Sequence, residues 1–240
     1  MAGSLERPFH VVPKGIAIIF GLAFAVQIWV RATNPLLVPK AVDLPAPPGS
    51  NALAVASFGD PIPPAKLLML YLQAFDYQSG DRTPFQALDY GKLQVWLTQI
   101  LRLDPNGQYP LMAASRLYAD VPNEAKKRQM LEFVYQEFFR DPARRWPWLA
   151  HAAAVAKHGL KDLPLARKYA AAIQQNATGE DVPLWAKQME IFILEDMNEL
   201  ETARIMIGGY IEKGLIKSPG ELRTMELRLK EIESRIKKGK

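Results

Sequence analysis

Three patterns of apolar and polar positions follow one another along the chain. Between Lys14 and Arg31 the run GIAIIFGLAFAVQIWV is apolar on every side, with Gln27 its one strongly polar member. A surface helix keeps a polar face, so this segment predicts a membrane span. Its sixteen residues cover about 24 Å, short of the roughly 30 Å hydrocarbon core. Lys14 and Arg31 can snorkel, and Trp29 suits an interface. A cleaved signal peptide and a buried helix of a soluble protein are the competing readings. Against cleavage, the nearby match Val30-Arg31-Ala32 contains a charge, and Ala54-Val55-Ala56 lies far downstream. The expectation is a tail over 1–14 and an uncleaved anchor over 15–31.

No period holds from Asn34 to Pro64, where eight prolines (35, 39, 45, 47, 48, 61, 63 and 64) surround Gly49-Ser50-Asn51. Each proline removes a backbone donor and fixes φ, so residues 32–63 read as a Pro-rich, semi-extended linker with a flexible midpoint. Its second half has an equal alternative, a segment packed along the domain through Leu53, Val55 and Phe58.

Beyond Pro64 the period is helical. Leu93, Trp96, Leu97, Ile100 and Leu101 recur at three and four, as do Leu131, Val134, Tyr135 and Phe138, and no two-residue alternation competes. The chain also repeats itself. Leu103-Asp104-Pro105 and Arg140-Asp141-Pro142 stand 37 apart, as do Tyr109-Pro110 and Trp146-Pro147, Trp148 and Trp185, and Ala166 and Ala203. A period of 36 to 37 without strands predicts stacked helical hairpins. First helices are expected at 111–118, 148–156 and 184–194, each opened by a proline at its first position. Second helices are expected at 123–139, 163–175 and 199–213. A divergent pair, 65–75 and 90–103, precedes them across a polar turn at Ser79-Gly80-Asp81. Ala153, Ala154, Ala170 and Gly208-Gly209 are the residues expected to let helices approach closely. The aspartates at 89, 104, 120, 141 and 162 read as turn and capping residues.

After this domain, 64–217, Ser218-Pro219-Gly220-Glu221 forms a capping signature. Leu222, Met225, Leu229, Ile232 and Ile236 then make a stripe over 218–240. A helix covering the end of the stack is the first reading, with a short coiled coil and a basic tail on anionic lipid behind it.

The HGLKDLPLARKYAAAI and EDMNELETARIMIGGY stretches resemble the turn and second helix of tetratricopeptide repeats, with Ala166 and Ala203 at the small-residue position. The period is longer than the family's 34, and the Trp148 and Trp185 spacing departs from its pattern. The resemblance covers about 65–215. It implies an all-α fold: a right-handed superhelix of about four hairpins whose concave face receives a peptide or partner helix.

Composition narrows the chemistry. The 240 residues contain no Cys, which removes thiolate metal sites, iron–sulfur clusters and thiol catalysis. The net charge of +5 is mostly the tail, and residues 223–240 alone contribute seven basic against three acidic side chains. His10, His151 and His158 are the only histidines, and the latter two can share a helix face without an acidic partner. No phosphate loop, nucleophile elbow or zinc-protease motif occurs. No cofactor, metal or nucleic acid is expected, and no small-molecule substrate is inferred. The chain reads as a non-enzyme. The residues expected to bind a partner are Arg144, Arg145 and Trp146, exposed in an inter-repeat turn, with Trp148 and Trp185 filling the core.

Together these readings give a membrane-anchored protein–protein interaction scaffold of the cell envelope. The N-terminus would lie in the cytoplasm and the repeat domain in the periplasm of a two-membrane bacterium. The partner would be another protein of the same membrane or envelope complex. An accessory structural subunit of a larger membrane assembly is the alternative, and an enzyme with a deep polar pocket is a third class.

Overall fold

A computed structural model describes residues 13–33, 43–76 and 84–238. The N-terminal tail with His10, the first part of the linker, the Ser79-Gly80-Asp81 turn and the last two residues lie outside the described residues. The chain divides into two compact units, one holding the first helix and the other running from Asp43 to the C-terminus apart from residues 78–81. Among the described residues there are helices and no strand.

The first unit contributes helix α1, Lys14–Thr33, long and apolar enough to cross a membrane. None of its side chains is buried. At 20 residues it spans about 30 Å, the apolar run being extended at its ends by Lys14, Arg31, Ala32 and Thr33. Thr33 Oγ1 donates to the Trp29 carbonyl at 2.8 Å, a bond that folds its hydroxyl back onto the last turn.

The second unit starts inside the expected linker. Leu44 is fully buried, and the Trp96 indole donates to the Pro45 carbonyl at 2.8 Å. Asp43 pairs with Lys92, which holds the Asp43 carboxyl below its usual range. The linker's second half is therefore docked, by residues only partly anticipated. Leu53, on α2 (Ser50–Ala56), is buried, whereas Val55 and Phe58 are exposed. Proline still shapes the segment, because Pro63 and Pro64 occupy the first turn of α3, Ile62–Gln73, where missing N–H groups leave no helical bond unmade.

Helices α4 (Pro84–Ala87) and α5 (Tyr90–Leu103) follow, and the Asp89 carboxylate accepts from the Gly91 and Lys92 amides to start α5. Helix α6, Tyr109–Ala113, continues as a π-helical turn over Ala114–Tyr118. Asn123 caps α7 (Glu124–Phe138) and Asp162 caps α9 (Leu163–Asn176), each through its side-chain oxygen. Between them α8 runs Pro142–His158. The third first-helix is broken at Gln188 into α10 (Leu184–Lys187) and α11 (Met189–Asp196), after which come α12 (Leu200–Glu212) and α13 (Pro219–Lys238).

Packing follows chain order: α3 on α5, α7 on α8, α8 on α9, α9 on α11 and α12 on α13. The α8–α9 contact is built on alanine. Ala152, Ala153 and Ala156 face Ala166 and Ala170 in one core that runs from Leu44 to Ile193. Ala154, by contrast, is exposed, and a β-carbon at Gly208 or Gly209 would meet nothing within 4 Å. Those three residues therefore do not make the close approaches expected of them. A second core joins α11, α12 and α13 through Ile191, Leu194, Ala203, Ile207, Met225 and Ile232. The stripe of α13 lies on α12, and Arg228 of α13 ion-pairs with Glu195 while its guanidinium sits 4.3 Å from the Phe192 ring.

Candidate functional site

Arg144, Arg145 and Trp146 occupy consecutive positions of α8, so they point in directions about 100° apart. Arg144 faces solvent and pairs with Asp141. Arg145 does not share that surface, being 2% exposed. Its Nη1 donates to the Glu137 carbonyl at 2.6 Å and to Glu137 Oε2 at 2.9 Å, and its Nη2 donates to the Pro105 carbonyl at 3.0 Å. Arg145 is thus a buried clasp joining the end of α7, the start of α8 and the loop after α5. The expectation of an exposed Arg145 failed because α8 starts at Pro142 and not at Pro147. That earlier start makes position 145 part of a helix, with one face turned inward. Pro147 then lies inside α8, where it lacks the N–H that would bond the Ala143 carbonyl.

The tryptophans also sort differently from their spacing. Trp148 is half-buried against the first core, and its indole donates to Gln108 Oε1 at 2.7 Å. Trp185, expected in the core, is 51% exposed. It meets Trp146 edge to face, with centroids 5.4 Å apart and planes at 76°. Trp146 is half-buried against the first core. The short α10 turns Trp185 outward while Ala186, about 100° further round, is buried. The surface that emerges is the Trp146–Trp185 pair, flanked in sequence by exposed Arg144.

Three grooves mark the same unit. One, of about 530 Å³, is lined by Met69, Leu70, Ile100, Tyr109 and Pro110 between α3 and the start of α6. A second, of about 500 Å³, gathers Ser115, Arg116, Asp120, Lys127, His151 and His158 between the π-helical turn, α7 and α8. The two histidines do line one cleft. Burial, with the nearby Arg116 cation, moves the His151 imidazole below its ordinary pKa. The third, of about 450 Å³, lies between α9 and α12 around Gln174, Met206, Tyr210 and Leu215. There the Tyr210 hydroxyl donates to the Lys187 carbonyl at 3.0 Å and accepts from Gln174 Nε2 at 3.1 Å.

A buried polar chain connects the first hairpins. Tyr90 donates to the Tyr118 carbonyl and Tyr118 donates to Asp76 Oδ2, each at 3.0 Å. Burial pushes the Asp76 carboxyl up to about 6, the Tyr118 hydrogen bond opposing the shift. Nothing in the apolar periodicity signals this chain. Among the described residues no group of three or more acids and histidines is placed to hold a metal ion.

No family model, curated protein or solved structure matches this chain.

Proposed function

We propose that the chain is a membrane-anchored scaffold of the cell envelope that binds a partner protein through a tetratricopeptide-like solenoid. In this reading α1 is a retained single span with its N-terminus in the cytoplasm, and the helical unit stands in the periplasm as a right-handed superhelix of paired helices. The apolar, fully exposed α1 and the pairing of helices in chain order support it.

The observation that carries the binding role is the Trp146–Trp185 pair. A half-exposed tryptophan held edge to face by its neighbour is already ordered before a partner arrives. Tryptophan and arginine are enriched at binding hot spots, and tryptophan buries much area for little lost side-chain freedom. The partner surface is therefore centred on Trp146 and Trp185, the latter taking the place expected for Arg145, with Arg144 exposed two positions earlier on α8.

Co-purification in mild detergent tests this with the full chain and the Arg144→Ala/Trp185→Ala variant. The variant should lose more than ~2 kcal/mol of partner affinity, a hot-spot magnitude, while its melting transition falls by no more than about a few degrees. Retention of the same partner by the variant overturns the assignment. A chain that is monodisperse only when co-purified would instead favour the accessory-subunit reading.

A further inference from the structure

Helix α3 is apolar on both sides. Its inner side buries Ala65, Met69 and Leu72. At 100° per residue the opposite side carries Leu67 and Leu70, both exposed, with Lys66 its one charge, while Tyr71 beside them stacks on the Trp96 ring with centroids 5.4 Å apart. Val55 and Phe58, just before it in the chain, are exposed apolar side chains too, and Phe58 is 94% exposed. Phe58 sits at φ +43° and Gly59 at φ +92°, so the turn between α2 and α3 holds an aromatic ring out in solvent from a left-handed backbone that bulky residues rarely adopt.

We propose that this face rests on the bilayer into which α1 is inserted, with Phe58 and Leu70 entering the headgroup–acyl boundary. The proposal builds on the anchor reading above. Only nine residues, 34–42, separate α1 from Asp43. Whatever their conformation, they reach no further than about 35 Å. The first helices after that tether carry the exposed apolar surface. Helix α3 has no acidic side chain. Lys66 suits lipid phosphates. Two carboxylates lie near: Asp60 is held at the helix entrance, where Oδ1 accepts from the Ile62 amide at 3.0 Å, and Asp104 lines the groove that Lys66 and Leu70 share.

Area argues against a second copy as the occupant. A twelve-residue helix is about 18 Å long and presents a footprint on the order of 200 Å², well short of the ~800 Å² per partner of a stable interface. A tethered surface needs no such area, because the anchor makes the membrane contact intramolecular and a weak patch suffices at high effective concentration.

The absence of cysteine makes single labels possible. The full chain carrying Ala23→Cys, Phe58→Cys or Gln136→Cys is labelled with an environment-sensitive fluorophore and reconstituted into phosphatidylcholine vesicles with or without acyl-chain nitroxide lipid. Position 23 lies in α1 and reports the anchor, and Gln136 is an exposed residue of α7. Labels at 23 and 58 should each lose at least half their intensity to the quencher, while the label at 136 stays constant. Adding Leu67→Glu and Leu70→Glu, both on exposed positions, should abolish quenching at 58, leave quenching at 23 and preserve the helical circular dichroism. Quenching at 23 without quenching at 58 overturns the membrane contact and leaves the anchor standing. Loss at both sites overturns both. Quenching at 58 that survives the two glutamates overturns the assignment to this face, as does a label at 58 that responds to protein concentration in lipid-free detergent, which would place a second copy there.

Discussion

Arg145 and Glu137 are both buried and joined at 2.9 Å, and the same guanidinium also holds the backbone carbonyls of Glu137 and Pro105. One side chain thus fastens three segments that the helical period alone would leave free to slide. Removing one partner of such a pair strands a charge away from water.

Glu137→Ala, which strands the buried Arg145 guanidinium, should therefore cost ~3–5 kcal/mol in denaturant unfolding, and Arg145→Ala less, because Glu137 keeps its pairing with Arg140 at 3.3 Å. An Arg145→Met/Glu137→Leu double substitution, which removes both charges and keeps volume, should cost clearly less than either alanine. Equal losses in all three would show that packing and not the charge pair sets the stability here.

The tryptophans should divide by environment. Trp148→Ala removes half-buried aromatic surface and the Gln108 bond, and should cost ~2–3 kcal/mol. Trp185→Ala should cost ~1 kcal/mol or less, because half of its surface is already in water and an edge-to-face contact contributes ~0.5–1.5 kcal/mol. A larger loss at 185 than at 148, measured by urea melts, would return Trp185 to a structural role.

The helices were most legible where a capping side chain and a full apolar stripe coincided. Asp162 ahead of Leu163–Asn176 and Asn123 ahead of Glu124–Phe138 are such places, and both lie within a residue of expectation. The 37-residue frame misled where it aligned unlike backbone. Asp104-Pro105 sits in a loop, with the next helix starting at Tyr109, whereas Asp141-Pro142 starts its helix outright. That offset turned Arg145 inward and paired Trp185 with Trp146 instead of leaving it equivalent to Trp148. Long-range polar contacts such as Tyr118–Asp76 join residues 42 apart and leave no periodic trace. The outer face of α3 escaped notice because a helix apolar all round shows no stripe to assign.

Asp76 should make stability fall as pH rises. Its carboxyl titrates near 6 when folded against an ordinary 3.8, so between those values the native state holds the proton that the unfolded chain has released. The native state binds more protons, and stability declines through this window by up to ~3 kcal/mol. Asp76→Asn keeps an acceptor for Tyr118 and should flatten the profile, raising stability above pH 6 with little change at pH 4. Parallel urea titrations across pH 4 to 7 would show it, and an unchanged slope in the variant would assign the pH dependence elsewhere.

Helix α13 should be needed to keep the second core dry. Met225 and Ile232 are buried against a cluster that includes Ile191, Ala203 and Ile207, with Leu222, Leu229 and Ile236 packed around them. Each fully buried aliphatic side chain contributes about 1.5–3 kcal/mol relative to exposure, so the stripe as a whole is worth several kcal/mol and its loss bares the outer side of α12. Deleting residues 219–240 should therefore lower the melting transition and bring on aggregation. Ile232→Asp should do the same in milder form by placing one unpaired charge in that core, at a cost of several kcal/mol. The basic tail offers the control: neutralising Lys237 and Lys238, both exposed, should leave the transition unchanged. If the tail substitutions destabilise as much as Ile232→Asp, the helix acts through its charge, and its apolar stripe is not what closes the stack.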